Sequence, residues 1–220
     1  MKREIQITGD GSTSIFIPEL NEGYHSRHGA IQEAYHVFIK NGLELFSKKE
    51  LSILEIGIGT GLNAFITYLE TKKSKQTIDY VGIEAYPVEN EHVLQMNYAQ
   101  QLDAPDEQDV FNQIHASNWE TKTELSNHFF LTKRKQFFQD IQDSDTYDLI
   151  YFDAFGYTVQ PELWSEAIFK IMYQSLKKNG VLVTYACRSS IKNAMLAAGF
   201  SIEKLPGAPG KREMLRATKK

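Results

Sequence analysis

The feature that most constrains the fold of this chain is a glycine-rich turn between a buried strand and a helix. The stretch Glu55–Asn63 reads EIGIGTGLN, and its glycines stand at alternate positions: Gly57, Gly59 and Gly61. Glycine permits the positive backbone angles of a tight turn and lets a ligand approach the main chain closely. Apolar patterning predicts a strand over Leu51–Ile56 before the turn and a helix over Gly61–Thr71 after it. This order is typical of nucleotide-binding α/β folds.

Beyond the turn, strand and helix patterns alternate along the chain. Strands are predicted over Ile78–Glu84, Phe129–Lys133, Tyr147–Phe152 and Gly180–Ala186, and helices over Val88–Leu102, Pro161–Leu176 and Ser190–Ala198. Residues 103–127 give no clear pattern. The last two strands, Phe200–Leu205 and Arg212–Ala217, flank a Pro/Gly-rich turn too short for a parallel crossover, so they must pair antiparallel. We predict a Rossmann-like α/β fold whose mostly parallel sheet ends in an antiparallel C-terminal edge hairpin.

A small N-terminal extension precedes this core. Glu4–Thr8 and Ser14–Pro18 flank a glycine-rich turn and predict a hairpin, and Gly29–Phe46 has helical spacing interrupted at Asn41-Gly42. No Pro/Gly/Ser-rich linker divides the 220 residues, of which 42% are hydrophobic. We therefore expect one domain over 1–220, with the extension over 1–50 and the Rossmann-like core over 51–220.

Composition excludes several classes of protein. A formal charge of −4 rules out a globally basic coat for nucleic acid, although not a local basic patch. The single cysteine, Cys187, forms no disulfide within the chain, and no Cys/His cluster has metal-ligand spacing. Met1–Asp10 lacks the apolar stretch of a signal peptide, and no apolar run is long enough to cross a bilayer. We expect a cytoplasmic protein with neither a metal nor a membrane partner.

The glycine turn and the next strand predict a nucleoside cofactor. The pattern is G-x-G-x-G preceded by Glu55, which suits the carboxylate and ammonium of a methionine moiety better than a pyrophosphate. Glu84 ends the second strand, where a carboxylate can accept both ribose hydroxyls. We expect S-adenosylmethionine, held by Glu55, Gly57, Gly59, Gly61, Asn63 and Glu84. NAD-binding proteins also use a strand-end acid, and a turn without any ligand is the alternative reading.

The end of the fourth strand of the predicted core marks the reaction site. Ligands of open α/β sheets lie at the carboxyl ends of the strands, and Asp153 follows Tyr147–Phe152 directly. A carboxylate there can orient an amine and accept its proton, so Asp153 is the candidate catalytic residue; capping of the next helix is the alternative. Phe155 and Tyr157 are candidates for stacking on an unpaired base. Trp164 is expected to pack the following helix onto the sheet.

Several motifs together resemble the methyltransferase domain of the MnmC family. The matching stretches are Glu55–Asn63, Gly82–Val88 (GIEAYPV), Asp153–Trp164 (DAFGYTVQPELW) and Pro206–Leu215 (PGAPGKREML), with His25–Gly29 and Glu33 near the N-terminus. Two positions depart from the family pattern. Gly156-Tyr157 follows the Asp153-Ala-Phe turn, and Lys133-Arg134-Lys135 stands where many relatives carry an acid for the adenine amino group.

The resemblance implies a particular reaction and particular partners. It implies methylation of the exocyclic amine of 5-aminomethyl(-2-thio)uridine at the tRNA wobble position, with Lys211 and Arg212 meeting RNA phosphate or the nucleotide. The tail Glu203–Lys220 carries six lysine and arginine residues against two glutamates, which suits contact with the anticodon region. At this length the chain resembles a stand-alone version, so a separate oxidase or another aminomethyl-forming system is expected to supply the substrate.

Three other functions remain open from the sequence. A small-molecule amine methyltransferase or aminopropyltransferase shares the fold and an acid after the fourth core strand, but the Gly156–Gln160 turn offers no further acid for a polycation. A non-catalytic module that binds S-adenosylmethionine or RNA would carry the same cofactor loop. A dehydrogenase is the weakest alternative.

Overall fold

The computed structural model describes all 220 residues and contains two sheets. The small sheet joins β1 (Glu4–Ile7), β2 (Thr13–Ile17) and β3 (Glu22–Gly23) in antiparallel order. The large sheet contains β4 (Glu50–Ile56), β5 (Thr77–Ile83), β6 (Lys122–Ser126), β7 (Phe129–Arg134), β8 (Tyr147–Phe152), β9 (Leu176–Thr184), β10 (Ser201–Pro206) and β11 (Glu213–Thr218). The helices are α1 (Ala30–Ala34), α2 (Leu62–Ser74), α3 (Asn90–Val93), α4 (Tyr98–Gln101), α5 (Gln108–Ala116), α6 (Glu166–Ser175) and α7 (Ser189–Ala197).

The large sheet has the order β10-β11-β9-β8-β4-β5-β7-β6. The five central strands run parallel, whereas β10 and β11 form an antiparallel hairpin that pairs with β9. The predicted Rossmann-like sheet with an antiparallel C-terminal edge is therefore confirmed. The sequence did not reveal β6, which pairs antiparallel with β7 and makes the opposite edge antiparallel as well.

The strand order decides where a ligand can bind. The chain leaves β4 toward β5 and β7 on one side, and returns to add β8 and β9 on the other. The crevice at this reversal point opens at the carboxyl ends of β4 and β8. The glycine turn after β4 and Asp153 after β8 consequently lie side by side.

Three predicted helices differ in detail, and a side-chain hydrogen bond accounts for each difference. The predicted helix over Val88–Leu102 is split into α3 and α4 because the Asn97 side chain binds the backbone of Thr13 and Gly11 in the N-terminal hairpin. Ser165 caps α6 by accepting the Ile168 N–H, which leaves Pro161–Trp164 as a separate 3-10 turn. In the N-terminal extension, α1 continues as a π-helix over Tyr35–Lys40, and the Asn41 side chain ends this helix by donating to the His36 carbonyl. Residues 103–127, which gave no clear sequence pattern, contain α5 and β6.

Hydrophobic side chains pack against both faces of the large sheet. The N-terminal extension covers one face, where Phe38 and Tyr151 have ring centroids 5.0 Å apart. On the other face Trp164 is 1% exposed and packs against Phe152 and Phe169, as predicted for its role in fixing the following helix. No helix in the structure combines the length and the apolar character needed to cross a membrane.

Candidate active site

The glycine turn is held between β5 and the end of β8. The N–H groups of Gly57 and Ile58 both donate to the Ile83 carbonyl, at 3.0 and 3.1 Å. Gly57 has φ +86°, and a Cβ atom there would lie 2.8 Å from the Asp153 carbonyl oxygen. Only glycine fits this position, because a side chain would push the turn away from Asp153.

Histidine and tyrosine side chains outside the turn hold it from behind. His115 lies on α5, and its Nε2 is 3.0 Å from the Thr60 carbonyl oxygen. Burial lowers the pKa of His115 to about 4, so the ring is neutral and its Nε2–H donates to that carbonyl. Tyr98 donates to the Thr60 hydroxyl at 3.0 Å, and His25 lies 3.4 Å from the same hydroxyl. None of these contacts is readable from local sequence patterns.

A buried amide links two carboxyl groups at the floor of the site. Asn63 Nδ2 donates to Glu55 Oε1 at 2.9 Å and to Asp153 Oδ2 at 2.8 Å, while Tyr80 donates to Glu55 Oε2 at 2.9 Å. Burial, assisted by the nearby Asp153 charge, raises the pKa of Glu55 to about 8. Burial and the Glu33 carboxylate raise the pKa of Asp153 to about 7. Both acids therefore hold a proton at higher pH than usual, because the groups that lower their pKa values only partly offset burial.

Glu84 lies at the end of β5 and faces the glycine turn. Its two carboxylate oxygens accept the N–H groups of Gly59, at 3.2 Å, and Tyr86, at 2.9 Å. These bonds fix the orientation of the carboxylate at the rim of the crevice. Burial nevertheless raises its pKa, because desolvation outweighs the two hydrogen bonds.

These groups surround one large cavity of about 580 Å³. The volume lies within the usual range for a small-molecule site. Of the predicted cofactor and catalytic residues, the cavity is lined by Gly57, Gly59, Asn63, Glu84 and Asp153, whereas Glu55 and Gly61 lie behind this lining. Side chains that sequence reasoning missed also line it, among them Tyr24, Tyr86, Phe137 and Gln139. Phe137 and Gln139 follow β7, on the loop where the sequence showed no acid for adenine.

The three aromatic residues after β8 have different surroundings. Phe155 lines the cavity and meets Tyr24 edge-to-face, with ring centroids 5.0 Å apart. Trp164 donates its indole N–H to the Phe155 carbonyl at 2.8 Å and thereby holds the loop. Tyr157 does not line the cavity; it packs toward the core under the Arg188 guanidinium, 5.4 Å from the ring centroid. Of the two candidates for stacking, Phe155 therefore lines the cavity and Tyr157 does not.

The basic residues predicted to meet RNA are mostly engaged within the protein. Four of the six basic residues in the tail form ion pairs: Lys204 with Glu213, Lys211 with Glu33, Arg216 with Glu203, and Lys219 with Asp145. In the Lys133–Lys135 cluster, Lys133 is buried over the Trp119 ring and Arg134 pairs with Asp143. The expected cationic surface is therefore much smaller than the residue count suggests. Arg212 and Lys135 are exposed without an ion pair, and Lys135 lines the cavity.

The fold and the site together define an S-adenosylmethionine-dependent methyltransferase. The profile of the family described as S-adenosyl-L-methionine-dependent methyltransferase matches residues 105–220, more than half of the chain, and the chain belongs to this family. S-adenosylmethionine is accordingly its cofactor, as the glycine turn and Glu84 predicted.

Comparison with individual proteins confirms the resemblance to the methyltransferase domain of MnmC. The chain is 28% identical over 208 residues to the tRNA 5-methylaminomethyl-2-thiouridine biosynthesis bifunctional protein MnmC of Aromatoleum aromaticum, covering 88% of this chain and 32% of that protein. It thus spans about a third of the length of the curated relatives it matches. The crystal structure of MnmC2 from Aquifex aeolicus superimposes with a TM-score of 0.79 at 21% identity, over all of this chain and 71% of that one.

More distant structures share the fold alone. Spermidine synthase from Thermotoga maritima superimposes with a TM-score of 0.53 at 12% identity, covering 99% of this chain and 72% of that one. This likeness confirms the Rossmann-like architecture. It carries no information about the substrate, because one fold supports many reactions.

Proposed function

We propose that this chain transfers a methyl group from S-adenosylmethionine to the exocyclic amine of a 5-aminomethyl group on the wobble uridine of tRNA. One observation carries the proposal. Asp153 lines the cavity, and the Asn63 amide donates hydrogen bonds both to Asp153 and to Glu55 beside the glycine turn. A carboxylate that can accept a proton therefore lies next to the cofactor loop. The similarity to MnmC across 88% of the chain supports tRNA as the substrate.

The residues of the cavity fit the cofactor. Asn63 Oδ1 is buried without a hydrogen-bond partner, and it lies on the amide that joins Glu55 to Asp153. An unpaired acceptor beside two carboxyl groups suits the ammonium of a methionine moiety. Glu84 would accept the ribose hydroxyls, and Gly57, Gly59 and Gly61 would let the cofactor approach the main chain. When bound, S-adenosylmethionine supplies an electrophilic methyl group on a sulfonium.

Asp153 would prepare the acceptor nitrogen. An amine attacks only through a free lone pair, so an ammonium must first lose a proton. Its pKa of about 7 lets Asp153 accept this proton near neutral pH, and the Asn63 hydrogen bond keeps the carboxylate oriented. The second carboxylate oxygen is left to hold the amine in line.

The aromatic wall of the cavity would receive the uracil base. Phe155 and Tyr24 line the cavity and contact each other, and stacking on such rings stabilises an unpaired base by about 1–3 kcal/mol. Arg212 and Lys135 are the exposed cations that we assign to phosphate contact. The extension 1–50 and the core 51–220 would act as one domain, because Tyr24 from the first lines the cavity of the second. We further propose that the protein works in the cytoplasm, on tRNA that already carries the aminomethyl group.

A labelling experiment tests the proposed function. Purified protein is incubated with methyl-labelled S-adenosylmethionine and tRNA rich in 5-aminomethyluridine, and the digested nucleosides are separated. Label on the 5-methylaminomethyl nucleoside is the expected result. Asp153→Asn should abolish labelling and leave cofactor affinity within about two-fold, since Asn keeps the shape but cannot accept a proton. Label confined to added polyamines or other small amines would refute the tRNA assignment.

A further inference from the structure

Five side chains from separate parts of the chain lie near one another on one side of the site. They are Glu22 of β3, Glu33 of α1, Asp153 after β8, Tyr185 after β9 and Lys211 between β10 and β11. Glu33 and Lys211 are 178 residues apart in sequence, yet their side chains form an ion pair. Three acids and a single ammonium thus share this part of the protein.

The Lys211 ammonium is held in place from two sides. On one side the Glu33 carboxylate binds it, and the other oxygen of that carboxylate accepts the Ser26 N–H at 3.1 Å. On the other side the ammonium lies 3.9 Å from the centroid of the Tyr185 ring, within the range of a cation–π interaction. The Tyr185 hydroxyl donates to the carbonyl of Ala154, the residue after Asp153, at 2.8 Å. These contacts fix the position of the ammonium beside the backbone that follows Asp153.

Lys211 is the one cation among the ionisable groups that act on Asp153. Those groups are the acids Glu33 and Glu55, the phenols Tyr80 and Tyr185, and Lys211 itself. Burial and Glu33 raise the pKa of Asp153, whereas Lys211 and the Asn63 hydrogen bond lower it. Lys211 also lowers the pKa of Glu22, which burial raises. Without Lys211, only the Asn63 hydrogen bond would oppose burial and the Glu33 charge, both of which favour the protonated form of Asp153.

We propose that Lys211, held by Glu33 over the Tyr185 ring, is a positioning residue that keeps the Asp153 carboxylate ionised for the acceptor amine. The inference rests on the proposed function, in which Asp153 is the proton acceptor. In the step concerned, a primary ammonium gives one proton to the Asp153 carboxylate, which leaves a neutral amine and a carboxylic acid. Lys211 takes no proton and touches no substrate; it acts through Asp153.

The pH dependence of single-turnover methylation tests this role. Rates are measured from about pH 5.5 to about pH 9 for the wild type and for Lys211→Met, which keeps most of the aliphatic stem and removes the charge. Removing an opposite charge raises the pKa of a carboxyl, so the acidic limb should move to higher pH. The variant should then be several-fold slower on that limb and within about two-fold of wild type at the alkaline end.

Three further variants separate this role from a structural one. Lys211→Arg restores the charge and should restore the wild-type profile. Glu33→Gln removes a negative charge and should move the acidic limb to lower pH, opposite to Lys211→Met; loss of structure would instead slow both variants at every pH. Lys170→Met removes an exposed, ion-paired lysine of α6 and should leave the profile unchanged. An unshifted limb in both Lys211→Met and Glu33→Gln would overturn the proposal.

Two measurements distinguish failure of this inference from failure of the proposed function. If Lys211 instead binds an RNA phosphate, Lys211→Met should lower the slope of log K against log salt for tRNA binding by about 0.9 and leave the acidic limb unmoved. That result would overturn our inference. Infrared titration of the protonated-carboxyl band that Asp153→Asn removes reports the ionisation of Asp153 without any substrate. A shift of that midpoint in Lys211→Met supports the inference even if the wild type does not methylate tRNA. No shift overturns it.

Discussion

Replacing Glu55 by glutamine should make the protein more stable at alkaline pH and flatten its stability profile. Glu55 is fully buried, and its pKa rises from 4.5 to about 8 in the folded protein. Between these values the folded state holds a proton that the unfolded chain has lost, so the free energy of unfolding falls as pH rises. Glutamine imitates the protonated acid, since its carbonyl can accept from Asn63 and its amide can donate to the Tyr80 oxygen.

The size of the effect follows from the pKa shift. Each unit corresponds to about 1.4 kcal/mol, so the wild type should lose about 3–5 kcal/mol of unfolding free energy across this pH range through Glu55. Glu55→Gln lacks this contribution. The difference in unfolding free energy between variant and wild type should therefore grow by about 3–5 kcal/mol from acidic to alkaline conditions. Asp153 titrates in the same direction in both proteins, so its contribution largely cancels in the difference in unfolding free energy between them.

Urea denaturation followed by circular dichroism, from about pH 5 to about pH 8.5, measures this difference. Glu50 begins the same strand and is exposed, so Glu50→Gln is the matched control and should show no pH-dependent difference. Parallel stability profiles for wild type and Glu55→Gln would show that Glu55 is already ionised in the folded protein. That result would refute the account of the buried Glu55–Asn63–Asp153 arrangement.

Other substitutions test the cofactor loop and the base pocket. Gly57→Ala should destabilise the fold by about 2–4 kcal/mol in urea denaturation, because its φ is +86° and its Cβ would lie 2.8 Å from the Asp153 carbonyl oxygen; an unchanged midpoint would contradict this. Glu84→Ala should weaken S-adenosylmethionine binding about 10–100-fold by calorimetry, because the ribose hydroxyls lose two charge-assisted hydrogen bonds to the carboxylate; Glu84→Gln should be intermediate. Phe155→Ala should lower kcat/KM for tRNA by about ten-fold or more, whereas Tyr157→Ala should stay within about two-fold. Equal losses for the two aromatic variants would place Tyr157 in the base pocket.

Much of the site was predictable because its backbone depends on local sequence. All three glycines of the turn adopt positive φ, as their spacing predicted, because glycine alone reaches this region without steric cost. Glu84 and Asp153 were found for a related reason. The carboxyl ends of neighbouring parallel strands meet at one edge of a sheet, so a residue that follows such a strand lies at that edge.

The errors concerned interactions between distant parts of the chain. The helix predicted over Val88–Leu102 has continuous helical spacing, yet Asn97 binds the N-terminal hairpin and interrupts it. The tail was counted as a basic surface, but most of its charges are paired within the protein. A charge count is a property of the sequence, whereas a free charge depends on which acids folding brings near.

What the sequence by itself determined is the Rossmann-like sheet, the glycine turn, and the acids at the ends of its strands. These follow from hydrophobic periodicity and from the backbone preferences of single residues. Only the tertiary structure decided that Tyr24 and Phe155 share a wall of the cavity, and that Lys211 binds Glu33. The physical reason is that a side chain's partners and pKa are set by groups within a few ångströms in space, and those groups come from segments up to 178 residues apart.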